Sequence, residues 1–237
     1  MPMRASTRQV ARVLSRNASS SLAARSTFYT VDCGVSLVVR EEPTSVVRRL
    51  IETNHYSGKT TKNVWRSFGV YYEDRLEGAI QIGYGIRPKM KTHLFDGPPE
   101  AVREFDRMYL TDLLPPNAES AVIGGLLRYL KRTYPEVAVL ITYADGIRGK
   151  VGTIYQATNA IYIGAVAGEF YFLPSGEAVH PVTMWHWHKT RKREVLNKLY
   201  PGIKHIRGAQ HRYIYILDPT WRSRLKVPIQ PYPKHNV

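Results

Sequence analysis

The chain has 237 residues, 43% hydrophobic and 22% charged, and lacks any apolar run near the roughly 18 residues that a membrane-spanning helix needs. A single cysteine, Cys33, excludes an intrachain disulfide framework and any multi-cysteine zinc site, so the chain reads as intracellular. Lys and Arg number 34 against 19 Asp and Glu; the formal net charge is +15, which calls for a polyanionic partner. Aromatic residues make up 11%, and no long basic helix carries a clean bulky apolar face, so nucleic acid is favoured over lipid.

Residues 1–26 precede the first acidic residue, Asp32, and repeat arginine at 4, 8, 12 and 16. That spacing puts the arginines on one helical face. A nucleic-acid-binding arm, an organelle transit peptide and a disordered tail all fit this basic, acid-free stretch. The folded core is expected to begin at 27. "TFYTVDCGVSLVV" reads as one or two strands, and "EEPTSVVRRLIETNHYSG" as a helix with Val46, Val47, Leu50 and Ile51 on its apolar face and a stop at Gly58. "FGVYYEDRLEGAIQIGYG" reads as a hairpin turning at Glu73, Asp74 and Arg75. "IRPKMKTHLFDGPPEAV" reads as a proline-interrupted loop. "REFDRMYLTD" reads as a strand whose charged and apolar residues alternate imperfectly. "NAESAVIGGLLRYLKRTYP" reads as a helix capped by Asn117 or Ser120, with Val122, Ile123, Leu126, Leu127 and Leu130 facing the core. "VAVLITYAD" is a short continuous apolar run, the mark of a fully buried strand. After it come a short helix near "GTIYQATN", two or three antiparallel strands, and a basic helix, turn and strand from 185 onward. The order predicts an α/β (α+β) domain over 27–184, with a mixed central sheet and flanking helices, and a basic extension over 185–237.

Three groups of residues can carry chemistry. The N-terminus of the 117–134 helix offers Asn117, Ser120 and free amides to a phosphate, with Arg107 just upstream as a charge partner. His55 and Tyr56, with Asp145 and Tyr155, combine residue types that bind a hard metal or move protons. Their separation in sequence leaves turn and cap roles equally open. The third group is "HWHKTRKREVLNK", where Lys189, Arg191, Lys192, Arg193 and Lys198 face a single Glu194 and follow Trp185 and Trp187. It reads as a phosphate-binding element with stacking residues, or as a solvated basic helix. His186 and His188, two apart, suit a strand face for shared ligation. The chain lacks the sequence signatures of a P-loop, a dinucleotide fingerprint, a zinc deaminase and a nucleophile elbow.

"YADGIRGKVGTIYQATNAIYIG", together with "NHYSG", "REFDRMYLTD" and "PPNAESAVIGGLLRYL" in that order, resembles the Mom family of bacteriophage DNA-modification proteins, related to the GNAT-type N-acyltransferases. The likeness covers about residues 35 to 165. It implies a GNAT-like fold that uses acetyl-CoA or another acyl donor to add a carbamoylmethyl-type group to the N6 amine of adenine in double-stranded DNA. It also implies protection from restriction, iron dependence, and action in the cytoplasm of a phage-carrying bacterium. By motif, His55, Tyr56, Asp145 and Tyr155 match the iron or catalytic group. Arg107 and Ser120 match acyl-CoA contacts, with Tyr72 as a further contact. One departure is visible: "LPPNAESAVIGG" replaces the usual phosphate loop, with Gly124 and Gly125 inside the expected helix. A non-catalytic nucleic-acid-binding protein and an acyltransferase for a small amine or a protein are the competing readings. The oligomeric state, a homodimer included, stays open.

Overall fold

The computed structural model describes residues 29–32, 36–55, 60–85 and 88–234. The expected arm at 1–26, Cys33, Tyr56 and Gly58 lie outside the described residues. Among the described residues nine strands form one sheet: β1 (Tyr29–Asp32), β2 (Ser36–Glu41), β3 (Val64–Tyr72), β4 (Arg75–Gly83), β5 (Val102–Leu110), β6 (Val139–Asp145), β7 (Ile161–Phe172), β8 (Ala178–Val179) and β9 (Lys204–Ile216). Their order across the sheet is β1-β2-β3-β4-β5-β6-β9-β7-β8. Among the described residues only β5 and β6 run parallel; the other paired strands are antiparallel. This is the mixed α/β class expected. The 68–85 hairpin forms as read, because Glu73 (φ 48°) and Asp74 (φ 61°) accept the left-handed conformation that a tight two-residue turn demands.

Helices cover both faces. On one face lie α1 (Thr44–Asn54) and α2 (Pro88–Leu94). Val47 and Ile51 of α1 pack on Ala79, whereas Val46, expected in the core, is exposed. On the other face, α3 (Ala118–Thr133) buries Val122, Ile123, Leu126 and Leu130 against Leu37, Phe68, Ile80, Phe105 and Tyr213. Gly124 and Gly125 fall inside α3, as expected. The short α4 (Thr153–Ala157) lies on the α3 side; Tyr155 and Ile154 pack against that core.

Three expectations need correction. The supposed loop at 86–102 contains α2, because proline is tolerated at a first helical position; the helix ends at Leu94, before Pro98-Pro99. Lys91 holds α2 in place from within: its ammonium donates to the carbonyls of Tyr84, Pro99 and Val102. The supposed single basic helix is two, α5 (Pro181–His188) and α6 (Arg193–Leu199), broken where Lys189 turns left-handed (φ 54°). Residues 185–237 are not an appendage either. β9 pairs along β6 from Ile216↔Val139 to Gln210↔Asp145, and along β7 on its other edge, so it belongs to the middle of the sheet.

Candidate active site

The two parallel strands separate. β5 and β6 pair only at Val102↔Val139, Arg103↔Leu140 and Glu104↔Ile141, though β5 runs on to Leu110 and β6 to Asp145. Each keeps its outer partner, β4 and β9 respectively. A wedge therefore opens between their facing edges, where backbone groups lose their ladder partners. Thr142 spans the start of the gap, donating its hydroxyl to the Phe105 carbonyl at 3.1 Å. Strand edges that part inside a sheet give a ligand room to hydrogen-bond to main chain.

A bulge lies next to this opening. Gln81 pairs with Arg107 but Ile82 pairs with Phe105, so Asp106 is one extra residue in β5. The extra residue resets the alternation, and Asp106 and Arg107 both reach a cavity of about 320 Å³ on the α1 side. Glu104, Tyr143 and Asp145 also line it, and Phe170, Phe172 and His180 form the far wall. The volume lies in the range of small-ligand sites, about 300–1,000 Å³.

Asp106 is the perturbed carboxyl of the cavity. Burial pushes its pKa up to about 6, opposed by hydrogen bonds to Thr61 and Glu104 and by the Arg107 charge. The Thr61 hydroxyl donates to Asp106 Oδ2 at 2.9 Å. A hydrogen bond joins Asp106 to Glu104, so the two carboxyls sit in the cavity as a pair. Gly83 makes room for them: a Cβ there would stand 2.2 Å from Asp106 Oδ2. Burial and the nearby Glu104 raise the Tyr143 phenol well above its ordinary range, so it stays protonated. Asp145 meets Arg148 Nε at 3.5 Å through Oδ2, while its buried Oδ1 has no hydrogen-bond partner among the described residues. The His180 Nδ1 accepts from the Val182 amide, which requires that nitrogen to be unprotonated; burial and Arg191 lower its pKa in agreement.

The residues expected at the site divide between two places. Arg107 and Asp145 line the same cavity. His55 is close enough to feel Arg107, Lys150 and Arg148; burial first, then these cations, lower its pKa to about 4. Tyr155 lies on the other side of the sheet, edge-on to Phe105 at 6.5 Å and beside Tyr213 at 5.5 Å. Tyr72 likewise packs into the core on the α3 side. Asn117 starts α3 in the left-handed region (φ 68°) without a side-chain cap, so the first-turn amides of α3 owe nothing to its side chain.

Of the iron group that the resemblance implied, Tyr56 lies outside the described residues, and His55, Asp145 and Tyr155 do not come together. Asp145 continues the β6 face of Val139 and Ile141, opposite the core that holds Tyr155, and His55 stands among three cations. Among the described residues no three His, Cys, Asp or Glu converge on a metal position. His186 and His188 lie on helix α5 rather than on a strand, two apart and so on different faces, and His188 Nε2 is bonded to the Tyr200 hydroxyl at 2.9 Å.

The basic residues form a second feature. Arg191 and Arg193 line a concavity of about 840 Å³ together with Lys204 and Arg207 of β9. Glu169 is the one acid in its lining and is engaged by His205 at 2.8 Å and Arg207 at 3.9 Å. His205 stacks on Tyr171 with centroids 4.5 Å apart. Lys189, Lys192 and Lys198 lie outside that lining, at helix ends.

Sequence reasoning missed Glu104, Asp106, Phe170, Phe172, His180, Lys204 and Arg207. One signal was present: the imperfect alternation of "REFDRMYLTD" is the bulge.

A family model described as the Mom protein family matches residues 36–234. The chain is 33% identical over 198 residues to the methylcarbamoylase Mom of Escherichia phage Mu, a match covering 80% of this chain and 80% of that protein. Among solved structures it is similar to a Salmonella typhimurium acetyltransferase that modifies the N-terminal serine of ribosomal protein L7/L12, at 11% identity and a TM-score of 0.46, covering 81% of this chain and 100% of that one. It is similar also to a spermidine N-acetyltransferase of Vibrio cholerae, at 13% identity and a TM-score of 0.44, covering 76% of this chain and 94% of that one. Matched from 36 to 234 by the family model, and at one third identity by the phage Mu protein, the chain belongs to the Mom protein family.

Proposed function

We propose that this protein transfers an acyl-derived, carbamoylmethyl-type group to the exocyclic N6 amine of adenine in double-stranded DNA, guarding phage DNA from restriction in the bacterial cytoplasm. The observation that carries the reading is the Glu104–Asp106 carboxyl pair, held in a cavity beside the strand opening. The methylcarbamoylase name of the phage Mu relative supports the group transferred, and the charge of +15 supports a DNA substrate.

The chemistry asks two things of the chain. It must hold an amine next to an electrophilic carbon, and it must take up the proton that the amine loses as the N–C bond forms. A bound donor would supply that carbon, its leaving group taking the electron pair of the bond that breaks as the N–C bond forms. The parted edges of β5 and β6 suit an extended donor, and the first turn of α3, with Ser120, suits its phosphates. Asp106, with a pKa near working pH, is the proton acceptor, and Glu104 shares the charge. Arg107 keeps the ionised form accessible. Asp145 orients the amine through its unpartnered Oδ1. His55, held neutral, serves as a hydrogen-bonding neighbour. Tyr155 supports Phe105 from behind. Arg191, Arg193, Lys204 and Arg207 hold the DNA backbone. No step is assigned to iron.

The test is nucleoside mass spectrometry of DNA from cells expressing the protein. A heavier deoxyadenosine supports the reading. Unmodified deoxyadenosine beside soluble, DNA-binding protein would leave a non-catalytic DNA-binding role, and unmodified DNA without DNA binding would leave a small amine or protein as acceptor.

A further inference from the structure

Modifying adenine N6 in a duplex requires a route to that atom. In a duplex the adenine N6 is stacked and paired, and enzymes that act on such atoms take the base out of the helix. A receiving pocket needs flat apolar walls for the ring, acceptors for its exocyclic amine, and a size fit for one base.

The cavity beside β5 meets each need. Two aromatic rings, Phe170 and Phe172, project into it from the same face of β7, two residues apart, and Tyr143 adds a third. The polar groups opposite are acceptors of the kind an amine requires: Asp145, Asp106 and Glu104. Asp145 Oδ1 is the telling atom. It is buried and has no donor among the described residues, although buried acceptors are nearly always paired. A ligand that brings an N–H to this carboxylate, with a turn of the side chain that presents Oδ1, would repair that deficit. The wall that closes the cavity belongs to the chain between β7 and β9. His180 is fixed there by its bond to the Val182 amide, and Thr183 follows in the first turn of α5. The same helix exposes Val182, Trp185 and Trp187, flat apolar surface of the kind that contacts unstacked bases. The basic concavity borders the same stretch of β7: Glu169 and Tyr171 turn toward it as Phe170 and Phe172 turn away, so one strand separates a phosphate-binding surface from an aromatic pocket.

We propose that this cavity is the receptor for a single purine base extruded from the duplex, stacked on Phe170 and Phe172 and held through its exocyclic amine by Asp145. The proposal rests on the adenine reading above and adds the route to the base and the residues that recognise it.

The experiment compares binding of the purified full chain to short duplexes, by fluorescence anisotropy. One duplex carries deoxyadenosine opposite thymine, a second carries it opposite an abasic site, and a third carries deoxynebularine, which lacks the exocyclic amine, opposite the abasic site. Because an unpaired base needs no unpairing, the wild type is expected to bind the second about tenfold more tightly than the first. It should bind the third less tightly than the second. The Phe170→Ala/Phe172→Ala variant should lose the preference for the unpaired base and keep its affinity for the paired duplex, whose phosphates are held elsewhere. The Phe170→Leu/Phe172→Leu variant, which keeps apolar volume without the rings, makes the same test if the alanine variant does not fold. Equal wild-type affinity for paired and unpaired adenine would overturn the proposal, as would a preference that survives both variants or ignores loss of the amine. Mass spectrometry separates the two failures: a heavier deoxyadenosine with no unpaired-base preference sinks the pocket alone, whereas no heavier deoxyadenosine sinks the adenine reading.

Discussion

Asp106→Asn should inactivate the protein and stabilise it. Asn matches Asp in shape, can still accept from the Thr61 hydroxyl, and can donate to Glu104, so the cavity keeps its form. What it removes is a buried carboxyl whose pKa rises from 3.8 to about 6 on folding. A raised folded-state pKa favours folding fully below 3.8, and that contribution is lost as pH rises through about 6. At neutral pH the ionised Asp106 therefore costs stability. At 1.36 kcal/mol per unit, the shift of about two units corresponds to roughly 3 kcal/mol at about pH 7.5 and roughly 1 kcal/mol at about pH 4.5. For a chain of this size that is a gain in Tm of roughly 6–12 °C at the higher pH. Thermal unfolding followed by circular dichroism at both pH values measures it. A variant no more stable than wild type at neutral pH, or one whose gain is the same at both, would refute the claim that burial raises this carboxyl.

Other consequences follow from the same geometry. Gly83→Ala, which sets a Cβ 2.2 Å from Asp106 Oδ2 and 2.8 Å from the Asn63 carbonyl, should lower stability by roughly 1–3 kcal/mol and abolish modification; urea unfolding and nucleoside analysis check both. Asp145→Ala should abolish modification with fold and duplex affinity intact, so retained modification would remove Asp145 from the site. Arg191→Ala/Arg193→Ala should weaken duplex binding and reduce the slope of log affinity against log salt by about 1.8, at about 0.9 for each phosphate that an arginine no longer neutralises. An unchanged slope would move the DNA path elsewhere.

Local chemistry made some of this structure readable and distance hid the rest. The 68–85 hairpin, the buried strand at β6 and the amphipathic α3 are each written in a few adjacent residues: a two-residue turn, a continuous apolar run, an apolar stripe at helical spacing. The site is not local. Asp106 matters because it is the unpaired residue of a bulge, and a bulge is defined by the partner strand. The opening between β5 and β6 is a register statement about residues nearly forty positions apart. β9 enters between β6 and β7 although it follows both in sequence, so its basic residues look like a tail until the pairing is known. Lys91 shows the same limit from another side: a lysine among prolines reads as loop, and only its three carbonyl partners explain its burial. Resemblance named Asp145 and Arg107, which line one cavity, together with Tyr155, which the sheet separates from them.

The most direct test is the fraction of deoxyadenosine modified in DNA from cells making wild-type protein or Asp106→Asn at equal soluble levels and equal affinity for duplex. Wild-type protein should give a heavier deoxyadenosine, and the variant none above background. Modification by Asp106→Asn at the wild-type level would contradict this, because the proton would then leave the amine by a route that does not pass through this carboxyl.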